Sequence, residues 1–387
     1  MMHQTDNPRI VAVEWAELEG RRPRPAGRNA RLGEHGVTVR VPLARLTSED
    51  GKQGFGVARA DEEDARRLLG RPLDELFNPE VGSRPDGRPF DFPLWDLVGK
   101  VTGEPVYRLA AQTLEKSADS PLRVPCYDTS LYFDDLHLAD QDAAAQLLAE
   151  ETAQGLERGH RNFKIKVGRG ARHLPLEEGT ERDIAIIRAV RRTAGPDAHL
   201  MIDANNGYNL NLAKRVLIET AESNLFWLEE AFHEDAELYA DLKEWLTAQG
   251  LPVLIADGEG QAAPSLPDWA RAGLVDVLQY DIFSYGFTPW LTLGERLDGW
   301  GVRSAPHHYG RHLGNYVSAH LAAAIDGFTF AEWDEATTPG VDAPGYRIEE
   351  GHLLVPDAPG FGLILDDERF QRAVAANGFA VTVDEEW

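Results

Sequence analysis

The chain of 387 residues has a single cysteine, Cys126, and only three methionines. A lone cysteine has no partner for an intramolecular disulfide, and no paired-cysteine zinc spacing exists, so disulfide scaffolds and cysteine zinc modules are excluded. No apolar run approaches the roughly 18 residues of a membrane-spanning helix, and Met1 to Asp6 lack the basic start and apolar stretch of a leader. Positive charge is scarce: 39 Lys and Arg against 64 Asp and Glu leave a formal net charge of −25. A surface that acidic repels phosphate backbones and anionic lipid, so neither nucleic acid nor membrane is expected as a partner. The expected location is a reducing cytoplasm. With 43% hydrophobic and 27% charged residues, the composition is that of a globular protein with a large core. The length exceeds one typical compact domain and suits a barrel with a second domain.

Residues 10–13 and 37–41 read as strands, and the glycines from Gly51 to Gly56 supply a turn before a third. Residues 61–69 and 92–109 read as helices. A proline-flanked junction, Pro121 to Pro125, opens a different rhythm. From Val124 to Trp333 short apolar strands alternate with amphipathic segments, the pattern of βα units and a parallel sheet. Polar residues close those strands: Lys164 and Lys166, then Asp203, Glu229, Glu259, Asp281, His307 and Glu332. From Asp203 onward they recur at intervals of 22 to 30 residues, about one βα unit each. A barrel gathers such positions around one mouth. The tail is rich in Gly and Pro, turns helical over residues 366–375, and is expected to pack back on the N-terminal part.

Lys164 and Lys166 are two apart on a strand, so both face one side, where each raises the cost of charging the other and one pKa is expected to fall. An isolated Lys-x-Lys is more often a solvated edge, but here it has company. Three acids at unit spacing, Asp203, Glu229 and Glu259, repel one another unless a cation neutralises them, and an all-oxygen set suits Mg²⁺. Asp257 shares the parity of Glu259 and is the alternative third ligand, while Glu230 is expected on the opposite face. Asp281 and His307 form a carboxylate–imidazole pair. His307, His308 and His312 offer a competing transition-metal reading. Asn205 is placed to bond a substrate oxygen, or to cap its own loop. Glu332 either exchanges a proton at a substrate carboxylate or closes an ion-pair network.

Taken in order, Lys-Ile-Lys, Asp-Ala-Asn, Leu-Glu-Glu, Gly-Glu, Gln-Tyr-Asp, Pro-His and Ala-Glu-Trp resemble the signature of the enolase superfamily, mandelate racemase subgroup. The segments Leu94-Trp95-Asp96-Leu97 and Pro359-Gly360-Phe361-Gly362 resemble that family's cap helix and its C-terminal return. Ala231 stands where a proline commonly follows the Glu-Glu pair, and an insertion near residues 173–179 lengthens the step from Lys166 to Asp203. The resemblance implies an α/β fold: a modified (β/α)7β TIM-type barrel with an α+β capping domain. Its expected divisions are a cap over 1–122, a barrel over 123–336, and a segment over 337–387 completing the rim and returning to the cap.

The resemblance also implies Mg²⁺ on Asp203, Glu229 and Glu259. Lys166 is then one base, Lys164 its tuner and a neighbour of the substrate carboxylate, His307 with Asp281 the opposed acid/base, and Glu332 an electrophilic acid. The implied enzyme is a lyase, an acid-sugar dehydratase. It removes the proton α to a carboxylate, forms a metal-stabilised enediolate and loses the β-hydroxyl to give a 2-keto-3-deoxy acid. A racemase or epimerase of a 2-hydroxy acid is the alternative on the same site, and a silent sugar-acid-binding protein the remoter one. The expected partner is a small acid sugar, in a homo-oligomeric protein. Arg21, Arg22, Arg24, Arg28 and Arg31 lie in the cap's specificity segment, with Arg28 the expected substrate contact; they suit a second carboxylate of an aldarate-like substrate, or else pair with acidic surface on this or a neighbouring subunit.

Overall fold

The computed structural model describes residues 7–25, 28–34, 36–118, 120–260 and 262–383. Met1 to Asp6, read above for a leader, lie outside them. Strands Ile10–Arg21, Thr38–Ser48 and Gln53–Val57 form an antiparallel sheet, and Phe379–Thr382 from the tail joins its free edge. The tail thus returns to the cap. The stretch expected as one helix over 92–109 is two, Asp91–Thr102 and Val106–Thr113. Gly103 ends the first in a left-handed turn (φ 76°), and Pro105 starts the second from extended backbone.

Eight strands then follow one another in parallel: Leu122–Leu131, Phe163–Lys166, Leu200–Asp203, Leu225–Glu229, Leu254–Asp257, Val277–Leu278, Arg303–Ser304 and Ala331–Trp333. The last pairs with the first, and Ser304 bridges to Phe328 just ahead of it, which brings the chain round to its start. This is the modified (β/α)7β barrel. Met201, Trp227, Ala305 and Phe330 belong to one buried apolar cluster and precede Asp203, Glu229, His307 and Glu332 by two residues. Alternation therefore lays a dry hydrophobic floor directly under the polar layer. Among the described residues no helix is long and apolar enough to cross a membrane.

Two seams hold the cap, one to the C-terminal return and one to the barrel's strand ends. Asp96, fully buried on the cap helix, accepts hydrogen bonds from the Phe55 and Phe361 amides at 2.9 Å each and from Lys100 at 2.7 Å. One carboxylate thereby ties cap sheet, cap helix and C-terminal return. Nearby, a Cβ on Gly99 would come within 2.6 Å of the Gly360 backbone, and one on Gly360 would lie 2.2 Å from the Asp96 carboxylate, so neither position has room for a side chain. At the second seam, buried Ala30 of the cap loop packs where a Cβ on Gly168 or Gly207 would lie 2.9 or 2.4 Å from its methyl. Residues next to and within the insertion hold the same loop: His173 Nε2 bonds the Asn29 carbonyl at 2.8 Å, and Arg172 donates to that of Arg31 at 2.5 Å.

Asp96→Ala strips two buried amides of their acceptor and is expected to cost about 2–5 kcal/mol, measured by chemical denaturation. His320 is fully buried against Tyr107, Tyr346 and Phe361, and burial pushes its imidazole down to about 3. The unfolded chain therefore binds a proton that the folded one refuses, and stability falls as pH drops below about 6.5. His320→Gln should flatten that acid limb by up to about 1.4 kcal/mol per pH unit between 6.5 and 4, read from denaturation curves.

Candidate active site

The strand ends deliver their polar side chains to one buried cluster. Lys164 Nζ lies 2.6 Å from Glu229, 2.9 Å from Glu332 and 3.8 Å from Asp203, and Lys166 Nζ pairs with Asp203. Single carboxylate oxygens of Asp203, Glu229 and Glu259 lie within 4.8 Å of one another. Across the cluster, His307 Nε2 sits 3.0 Å from Glu259 and its Nδ1 3.4 Å from Asp281. Asp281 is itself fixed by the Ser284 amide at 2.7 Å. An amine and an imidazole thus flank the acidic triad.

Of the two alternatives for the third acid, Glu259 joins the triad. Asp257 instead accepts the Tyr239 hydroxyl at 2.5 Å and the Gly258 amide at 2.7 Å. Glu230 departs from the expected opposite face. The strand ends at Glu229, and a left-handed φ of 41° at Glu230 turns its carboxylate back to accept from Asn205 at 2.8 Å and Asn206 at 3.2 Å. Alternation fails there because the pleat has ended. Asn205 also donates to Glu259 at 3.1 Å. Trp227 and Gln279, missed in the sequence, donate to the far oxygen of Glu229 at 3.0 and 2.9 Å; Trp227 precedes Glu229 by two on its strand, and Gln279 follows directly on Val277–Leu278, two before Asp281.

The three histidines do not gather. His308 bonds the Glu332 carbonyl at 2.9 Å and His312 the Tyr316 hydroxyl at 2.8 Å, so only His307 faces the cluster. Arg28 stays outside as well, partly exposed and paired with Glu34 at 2.9 Å. Arg24 is engaged by Asp134 at 3.0 Å, Glu151 at 3.4 Å and Glu335 at 3.7 Å. The cap arginine that does reach inward is Arg22, buried beside Asp334 at 3.6 Å.

The lysines depart from the expected depression. Burial pushes both down and their mutual repulsion adds to it, but the charges of Glu229 and Glu332 on Lys164, and of Asp203 and Glu259 on Lys166, win, so both are held above the ordinary range. Burial likewise lowers His307, yet Glu259, Glu332 and Asp281 lift it to about 9. Asp281 is held down to about 2, against the cost of burial, by His307. Against the cost of burial, Lys164 and His307 drive the Glu332 carboxyl far below the usual range, and it pairs with Lys164 at 2.9 Å. Burial, with Glu259 and Asp203 beside it, pushes Glu230 up to about 11.

Six acids (Asp203, Glu229, Glu230, Glu259, Asp281 and Glu332) thus face three basic groups, Lys164, Lys166 and His307. Even with Glu230 protonated the acids outnumber the bases, the donors are hard oxygens, and Asn205 Oδ1 beside the triad is buried with no hydrogen-bond partner among the described residues. That set fits Mg²⁺ and not zinc. Millimolar Mg²⁺ is expected to raise Tm by about 2–5 °C at a hundredfold excess over Kd, and Asp203→Asn to abolish the shift; a Tm indifferent to Mg²⁺ refutes the metal assignment.

Residues 147–369 match the model of the family described as Enolase C-terminal domain-like. A crystal structure of galacturonate dehydratase from Geobacillus sp., complexed with D-galacturonate and 5-keto-4-deoxy-D-galacturonate, is 51% identical, with TM-score 0.92 over 97% of this chain and 99% of that one. A variant of that enzyme, complexed with Mg, superposes with TM-score 0.93 at 50% identity over 97% of each chain. Arabinonate dehydratase of Saccharolobus solfataricus is 26% identical over 289 residues, 73% of this chain and 70% of its own.

Proposed function

The chain belongs to the Enolase C-terminal domain-like family, and from that premise we propose that it is a Mg²⁺-dependent acid-sugar dehydratase acting on a hexuronate of the galacturonate type. The observation that carries this is the placing of Lys166 and His307 on opposite flanks of the Asp203, Glu229 and Glu259 triad. The α-proton of a carboxylate is so weakly acidic that its removal needs a fixed charge to hold the second negative charge that develops. Asp203, Glu229 and Glu259 would hold Mg²⁺, which would supply that charge, and with those carboxylates so engaged Lys166 would be freer to act as a base.

Lys166 then receives the α-proton. His307, kept protonated near neutrality by its acidic neighbours, delivers a proton to the departing β-hydroxyl, while Asp281 holds the ring. Lys164, clamped by Glu229 and Glu332, neutralises the substrate carboxylate. The α-proton and β-hydroxyl leave as water, and the enol tautomerises to a ketone. In a hexuronate the α-carbon is C5 and the lost hydroxyl is on C4. The product is a keto acid deoxygenated at the β-position, a 2-keto-3-deoxy acid when numbered from the carboxylate. It is of the same kind as the product bound by the Geobacillus neighbour. Assembly as a homo-oligomer and a cytoplasmic location belong to the same proposal; the buried thiol of Cys126 suits a reducing compartment, and light scattering measures the assembly.

The test is semicarbazide detection of keto acid from D-galacturonate and a panel of acid sugars with Mg²⁺ present. Lys166→Ala and His307→Asn should each lower kcat by about 10²- to 10⁴-fold. The opposed bases also favour a second reading, epimerisation: exchange of the α-proton with solvent deuterium and no keto acid from any sugar would establish it instead.

A further inference from the structure

Above the reacting layer, one residue pair further along the same strand ends, lies a second buried group. Tyr309 follows His307 by two residues and Asp334 follows Glu332 by two, while Tyr132 closes the first barrel strand. Into their midst the cap inserts Arg22, 5% exposed, with its guanidinium carbon 4.5 Å from the centre of the Tyr309 ring. The Tyr132 and Tyr309 rings meet edge to face at 6.4 Å. Burial raises both hydroxyls, and Lys166 on the one side and Glu332 on the other are among the charges acting on them, so the group adjoins the reacting residues.

Its hydrogen bonding is incomplete. Among the described residues, Arg22 Nε and Nη2 and the Tyr132 hydroxyl are buried and have no hydrogen-bond partner. Buried donors of this kind call for a partner, which an ordered water or a substrate oxygen supplies, and their place beside the reacting layer favours the substrate. The arginine's charge, however, is already balanced. Asp334 lies 3.6 Å from Arg22 Nη2 and is itself held by the Gly310 and Ala336 amides at 3.0 and 2.7 Å. A Cβ on Gly310 would come within 2.7 Å of Nη2, so the glycine makes the room in which the guanidinium lies.

We propose that Arg22 and Tyr132 form the subsite for the uncharged end of the substrate, donating to the carbonyl or hydroxyl oxygens farthest from the reacting carboxylate, and that the Arg22–Asp334 pair excludes a second carboxylate there. This rests on the dehydratase reading and narrows it to monocarboxylic sugars. A dicarboxylate would bring a further negative charge against Asp334, and among the described residues the cation beside it, Arg22, is already paired with that carboxylate. The cap arginine segment, expected from the sequence to bind a second carboxylate, is on this reading a hydrogen-bond donor instead.

D-galacturonate and galactarate differ only at that end, and the Mg²⁺-loaded full chain can be offered both. Wild type should favour galacturonate by at least about 100-fold in kcat/KM. Arg22→Ala should lose about 10- to 100-fold on galacturonate, and Tyr132→Phe about 10-fold, each carried by KM with kcat little changed. Asp334→Asn should narrow the preference by admitting galactarate. A purely structural role would lower Tm and depress both substrates alike. Equal use of the two sugars, or an unchanged galacturonate KM in Tyr132→Phe, overturns the subsite. Absence of keto acid from both sugars sinks the hexuronate dehydratase reading, and calorimetric binding then decides the subsite separately. Tighter binding of galacturonate than galactarate, lost in Arg22→Ala, supports it, and equal binding overturns it.

Discussion

Six carboxylic acids and three basic groups share a pocket whose floor is Trp227, Phe330, Met201 and Ala305. Charges crowded above such a floor cannot be screened by water, so every position in the layer is set by the need to answer another charge. Lys164 answers Glu229 and Glu332, Lys166 answers Asp203, and His307 stands between Glu259 and Asp281. The negative remainder is what a divalent cation completes. The same imbalance explains why Glu230, with no cation of its own, keeps its proton to far higher pH than an ordinary glutamate.

Much of this was legible in the residues because a barrel converts spacing into place. One polar residue at the end of each apolar strand, recurring about once per βα unit, is enough to put Asp203, Glu229, Glu259, Asp281, His307 and Glu332 on a common rim. What escaped was decided by local backbone or by distant charge. Glu230 leaves the strand through a left-handed residue that no alternation rule anticipates. The lysines' proton affinity depends on carboxylates that approach only after folding, so reading Lys164 against Lys166 alone caught the smaller of two opposing effects. The inward arginine was equally hidden: five guanidiniums in one loop look alike in sequence, and only packing distinguishes buried Arg22 from Arg28 on Glu34.

The cap shows the same division of information. Its three strands follow from alternating apolar residues, whereas Phe379–Thr382 joins their edge from the far end of the chain. The break at Gly103 and Pro105 was written in those residues but overridden by the apolar periodicity on either side. Asp96, which reads as one acid in a helical run, is the single acceptor on which two other segments close.

Ala30 seats its methyl where neither Gly168 nor Gly207 has room for one of its own, and those glycines lie two residues beyond Lys166 and Asn205. Three small residues from distant stretches of chain make a fitted joint, and at the density of a protein interior a bulkier face on one side has to be met by a loss on the other. The loop and the two strand tips can therefore drift only in step. Descendants of this chain would acquire new appetites by reshaping the loop around that pivot, leaving the pivot where it is.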